Sequence, residues 1–285
     1  MNTHVIQNYA RLKPGLFFLP LFLIMAIVFF LYSRHALNVD EYIRIQEESF
    51  FSINHYLGQY TYLESNLTQF GDGLVFLALL SMLVLYAPKL WESLASSMLV
   101  SVIFSASLKK IFAVPRPAAV LDNDSFFIIG RRLAGYSSLP SGHAITIFLV
   151  LTVLLFAFMP RGLNYKILWS SFIVITGLIL ASSRVGVGAH YPLDVVSGSI
   201  IGYISGLLGI FISRKYKIWG WFDDKKYYPF FIVLFLVGCV ILVFKIMNAN
   251  LVVYYLSFIS LIISLYKIIQ IYVRSFKKSP KETIQ

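Results

Sequence analysis

Three short runs of polar residues stand out from an otherwise apolar chain. The first is Lys109, followed by Arg116-Pro117; the second is Pro140-Ser141-Gly142-His143; the third is Ser183-Arg184, then His190, then Asp194. Lys109, Arg116 and Arg184 are fixed positive charges, and an arginine presents a planar fork that matches the oxygens of a phosphate. Pro115 and Pro117 bracket Arg116 and prevent a helix from continuing through it, so the guanidinium sits on a stiff turn. Ser141 reads as a helix cap and Gly142 allows close approach, and the free N–H groups of a helix start bind anions. Pro192 suits the first position of another helix, which places Asp194 in its first turn, within reach of His190. A carboxylate on one ring nitrogen fixes the tautomer and leaves the other nitrogen free to attack. These residue types fit nucleophilic chemistry on a bound anion.

The elements that must position these runs are membrane helices. Of the 285 residues, 58% are hydrophobic and 13% charged, against about 25% charged in an ordinary soluble domain. Apolar blocks lie near 15–33, 71–87, 93–112, 142–160, 166–183, 194–213, 229–247 and 251–272, most of them long enough to cross about 30 Å of hydrocarbon. An all-α, polytopic bundle follows, with 71–87 and the serine-rich 93–112 its weakest members. The first block is read as a retained helix, since it is long for a signal peptide and lacks a clear cleavage site. Cys239 is the single cysteine, so no internal disulfide forms.

The net charge of +11 would suit nucleic acid, but its distribution suits a membrane. With the amino terminus in the cytoplasm, most of the 24 lysines and arginines fall on the inner side, including Arg11, Lys13, Arg161, Arg214, Lys215, Lys225, Lys226, Lys277, Lys278 and Lys281, as the positive-inside rule favours. Asp40, Glu41, Glu47, Glu48 and Glu64 then share the first external loop, 34–70, whose mixed charges and aromatics suit an amphipathic surface helix. The same orientation puts the three polar runs at the outer ends of helices three to six. Ionisable residues there are costly and mark function. The inner segment 214–228 separates six helices from a final pair. The expected organisation is a six-helix core over 1–213, then a loop, two accessory helices and a basic tail over 214–285.

Lys109-x6-Arg116-Pro117, Pro140-Ser141-Gly142-His143 and Ser183-Arg184-x5-His190-x3-Asp194 match, in order, the three-part signature of the type 2 phosphatidic acid phosphatase and vanadium haloperoxidase superfamily. The chain resembles its membrane lipid phosphatase branch over 109–194. The resemblance implies that His190 is the nucleophile that forms a phosphohistidine and that Asp194 orients it. It implies that His143 protonates the leaving oxygen and then activates water. Lys109, Arg116, Ser141, the Gly142 amide and Arg184 would hold the phosphate. No metal and no other cofactor is implied. The implied substrate is a lipid-linked phosphate or diphosphate of the polyprenyl diphosphate, phosphatidylglycerol phosphate, phosphatidic acid or lipid A type, met at the outer face of a bacterial inner membrane. Membrane lipids, not nucleic acid, are the expected partners.

Other readings stay open on the sequence. A lipid phosphotransferase would share the phosphohistidine and pass the phosphate to a second lipid. A transporter or receptor would bind phosphate without turnover. Arg131 and Arg132 stand in the second external loop, 114–141, where they either meet a headgroup or are solvated. Asp72 suits a helix start or a place near the pocket.

Overall fold

A computed structural model describes residues 1–278, with side chains through Ser275. The side chains of Lys277 and Lys278 and the tail from 279 on, including Lys281, lie outside what it describes. The described residues are helical with no strand: α1 (Asn2–Ala10), α2 (Phe18–Ser33), α3 (Val39–Gly58), α4 (Thr61–Thr68), α5 (Gly73–Leu79), α6 (Leu83–Tyr86), α7 (Pro88–Phe112), α8 (Pro117–Val120), α9 (Gly142–Ala157), α10 (Leu163–Gly186), α11 (Pro192–Lys215), α12 (Tyr228–Asn248) and α13 (Val252–Lys278). Six helical segments within it are long and apolar enough to span a membrane, those holding α2, α7, α10, α11, α12 and α13. The apolar α9 is shorter. The chain is an integral, multi-pass membrane protein.

Helices begin where the sequence supplies a cap or a proline. Asn38 accepts from Glu41 N at 2.9 Å to open α3, and Ser141 accepts from Ala144 N at 3.4 Å to open α9. Pro88, Pro117 and Pro192 stand in the first turns of α7, α8 and α11, where a missing amide hydrogen costs nothing. α7 stops at Ala113, whose φ of 45° is left-handed, two residues before Pro115.

α11 is the central strut and lies against both α9 and α7. In hydrocarbon no hydrophobic force drives helices together, so small residues that let backbones touch do that work. A Cβ on Gly202 would stand 2.5 Å from the Ile145 carbonyl oxygen, and one on Gly209 only 2.0 Å from Ser97 Oγ. α9 has just 16 residues, and its far end is closed from below by α1. Asn8 Nδ2 donates to the carbonyls of Ala157 and Met159 at 3.0 Å each, and Tyr9 OH to Val153 O at 3.2 Å.

Two elements differ from the sequence expectation. The block 71–87 is not one helix but α5 and α6 with a break at Leu80–Met82. The break is stable because side chains from elsewhere take its carbonyls. Trp91 Nε1 donates to Leu80 O at 3.1 Å and Ser260 Oγ to Leu79 O at 3.3 Å, while Ser81 Oγ and Ser264 Oγ are 2.7 Å apart. A local hydropathy reading cannot see partners supplied by α13. The region 34–70 is likewise more than a surface helix. α3 buries Tyr42, Ile43, Gln46, Phe50 and Asn54 on one stripe and packs across the site end of α10 and α11.

The α9–α11 contact predicts that Gly202→Ala destabilises the protein. The added methyl meets a backbone carbonyl that cannot turn away, so a cost of about 1–3 kcal/mol is expected. A fall in the apparent melting temperature in detergent checks it; an unchanged melt would show that the helices are not held at backbone contact.

Candidate active site

The three polar runs meet at one end of the bundle. The last turn of α10 brings Arg184, the first turn of α9 brings His143, the first turn of α11 brings Asp194, and the end of α7 brings Lys109. His190 stands on the short turn between α10 and α11. That turn is sharp because Ala189 N and His190 N both donate to Arg184 O, at 3.1 and 3.2 Å. Gly188 makes it possible: its φ is +74°, and a Cβ there would lie 2.4 Å from Phe127 O.

Asp194 is fully buried with a complete set of donors. Tyr42 OH donates to Oδ1 at 2.8 Å, and Ser138 Oγ and Tyr191 N donate to Oδ2 at 2.5 and 3.0 Å. His190 Nδ1 stands 3.5 Å from Asp194 Oδ2 and 3.4 Å from Ser138 Oγ. That histidine–carboxylate separation exceeds a hydrogen bond, and in ligand-free sites such contacts tighten when substrate binds. The carboxylate lies beside His190 without the direct hydrogen bond that the sequence led us to expect, and the Ser138 hydroxyl stands next to both.

The cations surround the same imidazole. Arg184 is 5% exposed; its Nη1 donates to Thr68 Oγ1, and among the described residues its buried Nε has no acceptor. Arg116 Nη1 donates to Ala189 O at 3.4 Å, and Arg116 N to Gly135 O at 3.0 Å. Lys109 stands over the start of α9, its Nζ 3.5 Å from where a Cβ on Gly142 would sit. The charges of Arg184, Arg116 and Lys109 all bear on His190. His143, half-buried, packs its ring against the backbone of Gly71 so closely that a Cβ there would stand 2.4 Å from His143 Cβ. Ser141 is buried beneath them as the cap of α9. Lys109, Arg116, Ser141, His143, Arg184, His190 and Asp194 thus lie at the same end of the bundle.

Several partners were not legible in the sequence. Tyr42 reaches Asp194 from α3, Thr68 reaches Arg184 from α4, and Ser138 arrives on the loop before the cis Leu139–Pro140 bond. Gln46 Oε1 accepts from Leu193 N at 2.9 Å, and Asn54 Nδ2 donates to the Val185 and Gly186 carbonyls at 3.0 Å each. Together they clamp both sides of the His190 turn. Their spacing of 42, 46, 50 and 54 is the buried stripe of α3, which a sequence shows only once its register is known. Arg131 and Arg132 are exposed, and Arg132 Nη2 donates to Ala118 O at 3.4 Å. Asp72 caps α5, accepting from Leu74 N at 2.9 Å, and pairs with Lys245 at 2.7 Å.

Among the described residues no three His, Cys, Asp or Glu side chains cluster as a metal site. Burial, with the charges of Arg184, Arg116 and Lys109, holds the His190 imidazole well below its ordinary value, so it stays neutral. Glu64, on the α4 face against Gly186, is 3% exposed with Oε2 unpartnered among the described residues, and burial pushes it up to about 7. The folded protein then holds this proton where the unfolded chain has released it. Stability from this group is present below about 4.5 and is lost as pH rises through about 7. Glu64→Gln is therefore expected to raise the apparent melting temperature at pH 8 and to change it little at pH 4.5. An equal shift at both would contradict a buried neutral carboxyl.

Comparison with known proteins bears on the same residues. The family model described as PAP2 superfamily matches residues 90–219. A lipid A 4'-phosphatase of Bacteroides thetaiotaomicron is 36% identical over 92 residues, a stretch covering 32% of this chain and 38% of that protein. The crystal structure of LpxE from Aquifex aeolicus superposes with a TM-score of 0.48 at 26% identity, over 60% of this chain and 96% of that one. Residues 90–219, the stretch that matches the PAP2 superfamily model, hold the whole constellation from Lys109 to Asp194.

Proposed function

We propose that this protein is a metal-independent phosphatase that hydrolyses a phosphate or diphosphate on a membrane lipid, through a phosphohistidine on His190. The observation that carries the reading is a buried imidazole with one carboxylate and three cations about it, in a chain of membrane helices. Asp194 and Ser138 occupy the Nδ1 side, which leaves Nε2 for phosphorus. Arg184, with a buried N–H lacking an acceptor, suits a phosphate oxygen, since such a donor costs about 1–3 kcal/mol until it is satisfied.

In the first step Nε2 attacks phosphorus, the P–O bond to the lipid breaks, and His143, protonated in the complex where the phosphate oxygens offset the three cations, gives that proton to the departing oxygen. Lys109, Arg116 and Arg184 neutralise the charge gathering on the equatorial oxygens. In the second step His143 takes a proton from water, the oxygen attacks phosphorus, and the P–N bond breaks to release phosphate and restore neutral His190.

A lipid substrate is supported by an apolar cavity of about 750 Å³ between α2, α7 and α11. Its walls include Tyr42, Val114, Leu139 and Pro140, which border the buried carboxylate network, and Ile27, Leu108 and Ile204 deeper in the bundle. A chain of this kind lets a headgroup sit among the cations while its tail remains in hydrocarbon. The basic residues of the opposite end favour an outward-facing site. The lipid A 4'-phosphatase relative makes a glycolipid phosphate monoester the first substrate to try.

Purified protein in detergent, with excess chelator, is expected to release phosphate from a panel of lipid A type, phosphatidic acid, phosphatidylglycerol phosphate and polyprenyl diphosphate substrates. His190→Ala should lower kcat at least about a thousandfold while leaving the melt intact. Loss of activity on chelation, or its survival in the mutant, would refute the mechanism. Phosphate appearing only when an acceptor lipid is added would identify a phosphotransferase. Ile204→Trp, which fills the cavity, should raise KM roughly fivefold or more for a long-chain lipid and leave a water-soluble short-chain phosphate unaffected. Equal effects on both would remove the cavity from the substrate's path.

A further inference from the structure

The segment from Tyr62 to Gly73 forms a wall between the site and the last two helices, and it is bonded on both sides. Toward the site, Thr68 Oγ1 accepts from Arg184 Nη1, and the Gly71 backbone lies in contact with the His143 ring. Toward α12 and α13, Lys245 Nζ donates to Asp72 Oδ2 at 2.7 Å, Val253 N donates to Asn66 Oδ1 at 3.1 Å, and Tyr62 OH donates to Asn250 O at 3.4 Å. The Lys245 ammonium also stands 5.3 Å from the centroid of the Tyr254 ring. Asp72 follows Gly71 directly and uses its other oxygen to cap α5. The carboxylate therefore fixes the turn at its start and ties it sideways to α12.

We propose that the Lys245–Asp72 pair is a positioning device for the proton donor: the terminal helix pair presses the Gly71 turn against His143 and so aims its ring at the leaving oxygen. The inference rests on the reading of His143 as general acid. The geometry has little slack. At Gly71 even one carbon would overlap His143, so a shift of the turn by a fraction of an ångström changes what the ring rests on. The pair itself is partly shielded, with side chains 28% and 26% exposed. Neither residue is within the signature, and both belong to parts of the chain beyond it. On this view α12 and α13 are part of the catalytic apparatus, although they contribute no group that touches substrate.

The test compares two water-soluble substrates, p-nitrophenyl phosphate, which needs no proton on its leaving oxygen, and a short-chain alkyl phosphate, which does. In Lys245→Met and in Asp72→Asn, kcat/KM, which covers the steps up to departure of the leaving group and not the shared hydrolysis of the phosphohistidine, should fall about tenfold for the alkyl ester and change less than twofold for the aryl ester. Lys245→Arg should restore most of the loss. In a His143→Ala background, Lys245→Met should not alter the alkyl-to-aryl ratio further. A parallel fall on both substrates, an unchanged ratio, or a further change without His143 would overturn the inference. His143→Ala measured alone separates the two layers. If it leaves the ratio flat, the proton-donor assignment itself fails; if it is steep while Lys245→Met is flat, only the positioning role fails.

Discussion

Unbalanced positive charge at one end of a bundle of membrane helices is the condition around which this protein is organised. Lys109, Arg116 and Arg184 converge on His190 and His143 with one carboxylate, Asp194, among them, and that carboxylate is fully buried. Cations so placed repel one another and lose hydration, so the fold must hold them by other means. It does so with neutral acceptors: Arg184 on the Thr68 hydroxyl, Arg116 on the Ala189 carbonyl, and the His190 turn on the side chains of Gln46 and Asn54. None of these neutralises charge. On the proposed function a phosphate headgroup would supply the negative charge that these neutral acceptors do not.

Close helix contact is the second requirement. His143 and Asp194 begin neighbouring helices, and their relative position is set where α9 and α11 touch backbone to backbone. Ser141 N donates to Asp194 O at 3.0 Å, linking the two helix starts directly. Glycines on α11 permit this approach, and α1 seals the short α9 from the opposite end. The helices thus act as a rigid frame, while Tyr42, Thr68 and Ser138, which bond to Asp194 and Arg184, come from segments outside α9 and α11.

Much of this was legible in the sequence, and the reasons are specific. Hydropathy blocks found the long helices because crossing hydrocarbon demands them, and the three polar runs were visible because charged groups are rare in such a chain. Prolines at 115, 117 and 192 located the breaks that aim Arg116 and Asp194. What escaped was whatever depends on a partner distant in sequence. The 71–87 block reads as a helix but is broken, since the serines of α13 and Trp91 accept the task of satisfying its carbonyls. Tyr42 and Thr68 carry no signature of their own; their roles exist only once α3 and α4 fold over the His190 turn. The pairing of Asp72 with Lys245 across 173 positions belongs to the same class.

A covalent His190–phosphate bond is the centre of this account, and rapid acid-free quenching of the enzyme with radiolabelled substrate tests it most directly. The account predicts label on a peptide containing His190, stable in base and released by acid, and accumulating in His143→Ala when the substrate is an activated aryl phosphate, whose leaving oxygen needs no proton. Label absent from the protein through a complete turnover, or bound in an acid-stable form elsewhere, would contradict it.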